Sequence, residues 1–252
     1  MSGHSKWANI KHRKSAQDAK RGQLFSKLAK EITVAAKIGG GNPDNNVRLR
    51  VAIERAREAN MPTDNIERAI KRGTGELEGV TYEEVLYEGY GPGGVAILVS
   101  VLTDNKNRTA AEMRKIFSKF GGSLGSSGSV SWIFEKKGYI SVDASKYSED
   151  QILEISLESG AEDVKKEGDV ISIYTPVEEF SNVLKALKDR GIEIKVSEIS
   201  MIPKTTASVD DETAIKVLKL LEEIENNDDV QSVSSNLDAS DSAFEKFSKE
   251  AA

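Results

Sequence analysis

The hydrophobic period of this 252-residue chain changes near residue 79, and that switch limits the fold more than any other feature. Before it, apolar residues recur at helical spacing. Leu24, Leu28, Ile32, Ala35 and Ala36 form one buried stripe that stops at Gly39-Gly40-Gly41. Asn42 followed by Pro43 reads as a cap and first helical position, and Val47, Leu49, Ala52, Ile53 and Ala56 carry a second helix to about Asn60. Thr63 is placed to cap a third, with Ile66, Ala69 and Ile70 inside and Gly73 and Gly75 at its end. Three amphipathic helices with short connections predict a bundle.

After Gly79 the pattern is that of strands. Tyr82 to Tyr90 and the apolar run Val95 to Leu102 flank Gly89-Tyr-Gly91-Pro-Gly-Gly94, and the second run is apolar enough to lie centrally in a sheet. A helix is predicted from Asn107 to Phe120, with Thr109 and Glu112 spaced as a capping box, then a strand from Val130 to Phe134. From Gly138 the order is strand (Tyr139 to Val142), helix (Glu149 to Glu158), strands (Glu162 to Lys166 and Val170 to Tyr174), helix (Val177 to Arg190) and strand (Ile192 to Ile199). That is βαββαβ, and Thr175, Pro176 and Glu178 read as the second helix's capping signal. A further helix (Asp211 to Glu225) and strand (Val230 to Leu237) are surplus to this unit and complete the interrupted one before it. The expected fold is α+β with three domains: an N-terminal three-helix bundle with a basic arm, then two ferredoxin-like α/β domains, one inserted into the other. The predicted boundaries are 1–78, 79–136 plus 200–240, 137–199 for the insertion, and a tail over 241–252.

Charge is segregated in the same way. Residues 1–75 hold 16 Lys and Arg against 7 Asp and Glu, and the remainder holds 19 against 34, so a net −6 hides +9 followed by −15. A concentrated basic block in an acidic protein points to a polyanionic partner. The absence of cysteine excludes disulfides, thiolate nucleophiles and Cys-ligated zinc. His4 and His12 alone do not make a metal site, so no metal is expected. Without an apolar stretch of about eighteen residues or a secretory signal, the expected location is the cytoplasm, with no membrane partner.

Two glycine clusters invite nucleotide readings. Gly89, Gly91 and Gly94 fit G-x-G-x-x-G, but a strand follows where the dinucleotide motif needs a helix, and Pro92 removes a backbone N–H. A hairpin turn is the better reading. Gly121 to Gly128 lacks the Lys-Ser/Thr ending of a phosphate loop and is expected to be a flexible connection. No cofactor, small-molecule substrate or catalytic group is expected, and an enzyme is the remote alternative.

The segments GHSKWANIKHRKSAQDAKRGQLFSKLAKEI, RLRVAIERAREANMPTDNIERAIKRG, YEGYGPGG, LTDNKNRT and GGSLGSSGSVSWIFEKKG together resemble the YebC family, from Ser2 to about Leu237. The resemblance implies a helical domain followed by two α/β domains, one inserted in the other. It also implies a nucleic-acid-associated regulator, with some members labelled transcriptional regulators and others tied to the ribosome and translation.

Nucleic-acid contact is expected at Lys6, Trp7, Lys11, Arg13, Lys14, Lys20, Arg21, Lys27, Lys30, Arg48 and Arg50. Trp7 has two readings, stacking on an exposed base or anchoring the arm on the bundle. Arg55 and Arg57, beside Glu54 and Glu58, read as structural. Asp104, Asn105, Asn107 and Arg108 bunch at a strand end entering a helix, which fits either capping or a second interaction site. No helix offers a clear base-reading set of Arg, Asn and Gln, so ribosomal RNA is the favoured partner and duplex DNA the alternative. Ribosomal or transcription proteins are further candidate partners.

Overall fold

The computed structural model describes residues 6–9 and 18–250, with backbone alone at 18–20 and 250. Residues 6–9 form a helical turn, and α1 (Asp18–Gly39), α2 (Val47–Glu58) and α3 (Thr63–Thr74) follow. Ile32, Leu49, Ala52 and Ala56 are almost fully buried between these helices. At the crossing of α1 and α3, a Cβ on Gly73 would lie 2.4 Å from the Thr33 carbonyl, so only glycine permits this approach. The α2 cap is Asn46, not Asn42. Its Oδ1 accepts from Leu49 N while its Nδ2 donates to the Ala35 and Gly40 carbonyls, tying the end of α1 to the start of α2. Asn42 and Pro43 lie in the connecting turn, and Thr63 opens α3 without a side-chain cap.

The first sheet has the order β3-β1-β2-β8, all antiparallel, from β1 (Glu83–Tyr90), β2 (Ala96–Thr103), β3 (Ser123–Leu124) and β8 (Val230–Ser235). Gly91 to Val95 forms the hairpin turn between β1 and β2, with Gly93 and Gly94 at positive φ. β2 is apolar at every position except Ser100 and Thr103 because both of its faces are covered. Ile97, Val99 and Val101 meet α4 (Lys106–Lys119) and α7 (Asp211–Glu225), while Ala96 and Leu98 meet Val130, Ile133 and Phe134.

The second sheet has the order β5-β6-β4-β7, from β4 (Phe134–Asp143), β5 (Asp163–Glu167), β6 (Val170–Thr175) and β7 (Ile194–Pro203). With α5 (Glu149–Glu158) and α6 (Phe180–Asp189) on one face, this is the antiparallel ferredoxin-like arrangement. The first sheet reaches the same strand order by another route: β1, which precedes the other strands in sequence, fills the position that the third strand takes in βαββαβ.

Further local expectations differ from the structure. The strand expected at Val130 to Phe134 is a 3₁₀ turn over Ser131–Ile133 leading into β4, and β3 pairs with β1 instead. The reason is Glu88, whose carboxylate takes the N–H groups of Gly128, Val130 and Ser131 that a strand would give to a ladder. The Gly/Ser connection is thus tied down at several points. Helix α6 starts at Phe180, because Thr175 is the buried last residue of β6, paired with Gly138, and donates to the Pro176 carbonyl instead of capping. Helix α4 is capped by Asn105, and Thr109 turns inward. Finally, the expected tail contains helix α8 (Asp241–Glu250), whose Ala243, Phe244 and Phe247 enter the core of the first sheet.

Candidate nucleic-acid interface

The basic block divides according to whether the fold itself answers each charge. Lys6 pairs with Asp241 and lies 5.1 Å from the Phe244 ring centroid. Trp7 is 7% exposed and packs against Phe247, 6.1 Å between ring centroids. Its expected role as a stacking platform is therefore not available in this conformation. The anchoring reading is nearer, although the anchor is the first α/β layer and not the bundle. Next to it, Ala8 packs on Tyr139 and Tyr174, and Asn9 exchanges hydrogen bonds with Tyr139 and Ser141 on the helix-free face of the second sheet. Residues 6–9 thus join the two sheets.

Further along, α1 presents Gln23, Lys27 and Lys30 to the end of α7. Gln23 donates to the Asn226 carbonyl (2.6 Å), Lys27 to that of Glu225 (2.6 Å) and Lys30 to that of Asp228 (3.0 Å). Cations at the negative end of a helix macrodipole are favourably placed, and these contacts fasten the bundle to the α/β part. Lys30 also meets Asp229 at 2.7 Å and the Tyr82 ring at 5.4 Å. Arg48 pairs with Glu84 and Arg55 with Glu31. Arg50 reaches the Pro43 carbonyl at 3.4 Å, and Arg21 lies over Phe25. Lys11, Arg13 and Lys14 lie outside the described residues, as do His4, His12 and the side chain of Lys20.

Asp229 is the centre of the bundle junction. It is buried, its Oδ1 receives Lys30, and its Oδ2 receives Arg108 (2.7 Å), Thr109 (2.8 Å) and Thr103 (3.1 Å). Burial alone would raise its pKa, but the hydrogen bonds from Lys30, Arg108 and Thr109 outweigh it and hold the carboxylate at about 2. Arg108 is held above its ordinary value in turn, first by the hydrogen bond to Asp229 and then by that to Asp104. Lys30, Asp104, Arg108 and Asp229 line a polar cleft of about 570 Å³ with Tyr82, Glu112 and Asn226 to Asp228. Its cations are already met by carboxylates, so it does not suit a phosphate. Of the second predicted cluster, Asp104 and Arg108 work in this junction, Asn105 caps α4, and Asn107 is exposed.

The cations left over are ones that charge density alone does not single out. On α3, Arg68, Lys71 and Arg72 follow i, i+3, i+4 spacing, on the face opposite buried Ile66 and Ala69. Lys37 is a fourth, near the end of α1 at its crossing with α3, where its backbone N lies 3.2 Å from the position a Gly73 Cβ would take. All four are exposed, and among the described residues none has an acidic partner within ion-pair distance. Lys37, Lys71 and Arg72 also suit the dipole at their helix ends, whereas Arg68 lies a turn earlier and has no such reason. The sequence carried no signal for this set, because Asp64, Glu67 and Glu76 stand four residues from Arg68, Lys71 and Arg72 and only the structure shows these pairs unmade.

Residues 5–76 match the profile of the TACO1/YebC protein N-terminal domain, and residues 82–237 match that of the TACO1/YebC second and third domain. The chain belongs to the TACO1/YebC family. Among its TACO1/YebC relatives, one from Dictyoglomus turgidum is 59% identical over 249 residues, covering 98% of this chain and 100% of its own. One from Treponema denticola is 59% identical, covering 94% and 96%. Both bear the name probable transcriptional regulatory protein. A crystal structure of a conserved hypothetical protein from Aquifex aeolicus superposes with a TM-score of 0.80 at 53% identity, covering 89% of this chain and 93% of the other. Among the described residues of this TACO1/YebC protein, no helix is long and apolar enough to cross a membrane, and no group of His, Asp and Glu could hold a metal ion.

Proposed function

We propose that this protein is a non-enzymatic regulator of gene expression that docks on nucleic acid through its helical module, with structured RNA of the ribosome as the target and translation as the process. The observation that carries this reading is the unanswered basic stripe of Lys37, Arg68, Lys71 and Arg72 on a chain whose remaining charge is strongly acidic. Such cations gain most by displacing counterions from phosphates. The contact moves from Lys6, Lys27, Lys30 and Arg48, which the fold engages, to this stripe together with the more open Arg21 and Arg50. The names of the relatives support a regulatory role, and they also favour a second reading, duplex DNA at promoters. Asn65, Arg68 and Arg72 share one face of α3, a set that could also touch base edges, so the test compares both nucleic acids.

The test is binding to a ribosomal RNA fragment and to duplex DNA across a salt series. Replacing Lys37, Arg68, Lys71 and Arg72 with Ala should lower the log–log salt slope on RNA by about 3, at roughly 0.7–0.9 for each phosphate no longer neutralised. An unchanged slope removes the stripe from the interface, and tighter, sequence-selective binding to DNA overturns the RNA assignment.

A further inference from the structure

Trp132 is 67% exposed, although it sits in one of the most firmly tied loops of the molecule. Glu88 is 3% exposed and holds the loop from below, its carboxylate accepting from Gly128 N (2.7 Å), Val130 N (2.7 Å) and Ser131 N (2.8 Å) and its own carbonyl accepting from Gly125 N (2.7 Å). Burial favours a neutral Glu88, but the three backbone donors outweigh it and keep its pKa below the ordinary value. Above this base, the Ser129 carbonyl accepts from both Trp132 Nε1 (3.1 Å) and the Tyr90 hydroxyl (2.9 Å). Two partly or largely exposed aromatic side chains are thus oriented by one oxygen. Such ordering serves no packing purpose, since most of the indole surface remains in water. A preorganised aromatic lowers the ordering cost of binding a flat ligand.

The neighbouring charge indicates which ligand. Lys204 donates its backbone N–H to the Ile133 carbonyl, and Lys136 lies two residues into β4. Both are exposed and lack an acidic partner among the described residues, while the adjacent Glu135 is met by Lys137. Aromatic faces flanked by free lysines fit the bases and phosphates of a single strand. The position adds a constraint. Tyr82 and Glu84, at the start of β1, touch the bundle through Lys30 and Arg48, and Tyr90 closes the same strand about 20 Å away at ~3.3 Å per residue.

We propose that Tyr90 and Trp132 form a base-stacking platform for single-stranded RNA, a second contact remote from the basic stripe. The inference rests on the nucleic-acid reading above. The protein has two tryptophans, and Trp7 is buried, so emission quenching on binding reports Trp132. The full-length protein is titrated with a uridine oligomer of about a dozen nucleotides and with an abasic oligomer of equal length and charge. The wild type should bind the uridine oligomer about tenfold more tightly and be quenched by it alone. Trp132→Ala should remove that preference without changing abasic binding or the melting temperature, and Trp132→Phe should restore part of it. Equal wild-type affinity for both oligomers, with no effect of Trp132→Ala, overturns the platform and leaves the basic stripe standing. Failure of both oligomers to bind overturns the platform and leaves the basic stripe to its own test on ribosomal RNA. Trp132-dependent self-association in sedimentation, with oligomer binding unchanged, would assign the surface to a second copy of the chain and also overturn the platform.

Discussion

Replacing Asp229 with Asn tests the claim that a buried carboxylate holds the bundle against the α/β part. The substitution keeps the shape but removes the charge that meets Lys30 and Arg108 and places an NH₂ group against donors. A folded pKa of about 2 against 3.8 is worth about 2 kcal/mol. Removing one partner of a fully buried pair costs about 3–5 kcal/mol, but the Arg108 side chain is 44% exposed and water can take over part of its solvation. The expected loss at pH 7 is therefore about 2–3 kcal/mol. The sign with pH follows from the depressed value: the stabilisation is present above the unfolded pKa and is lost as pH falls through the folded one. Roughly half should remain at pH 3. Urea unfolding followed by circular dichroism at pH 7 and pH 3 should show a gap between wild type and Asp229→Asn that narrows by about half in acid. A gap of equal size at both pH values would refute the charge argument, since it would show that Asn costs stability through shape alone. No loss at pH 7 would mean that the junction carries no net stabilisation.

Trp7→Ala should destabilise by about 3–5 kcal/mol in the same assay, whereas Trp7→Phe should cost about 1–2, because packing on Phe247 is kept and the indole Nε1 has no hydrogen-bond partner among the described residues. Equal costs would show that the indole makes a polar contact. Gly73→Ala should push α1 and α3 apart at the Thr33 carbonyl and cost about 1–3 kcal/mol, seen as a lower melting temperature; a neutral result would mean that the crossing can relax.

What the sequence determined by itself was everything carried by periodicity. The three helices of the bundle, the apolar β2 and the βαββαβ insertion follow from spacing, because burial of one face or both leaves a period that is local in the chain. The segregation of charge was equally legible. Terminal details were not, because caps were decided at a distance. Asn46 wins over Asn42 since its amide also reaches Ala35 and Gly40, and Thr175 is held by its strand. Helix α8 left a signal in the spacing of Ala243, Phe244 and Phe247, but it is too short to stand out without the core that receives it. The functional surface was where tertiary structure decided most. Density of Lys and Arg marks a basic segment but cannot distinguish a cation that fastens α1 to the end of α7 from one that faces solvent. That distinction depends on carboxylates and helix ends some two hundred residues away, such as Asp229 opposite Lys30. It also depended on tertiary structure that Trp7 became a core residue while Trp132, in a loop tied by Glu88, became the exposed one. Each outcome was set by which partner the fold brought to the indole.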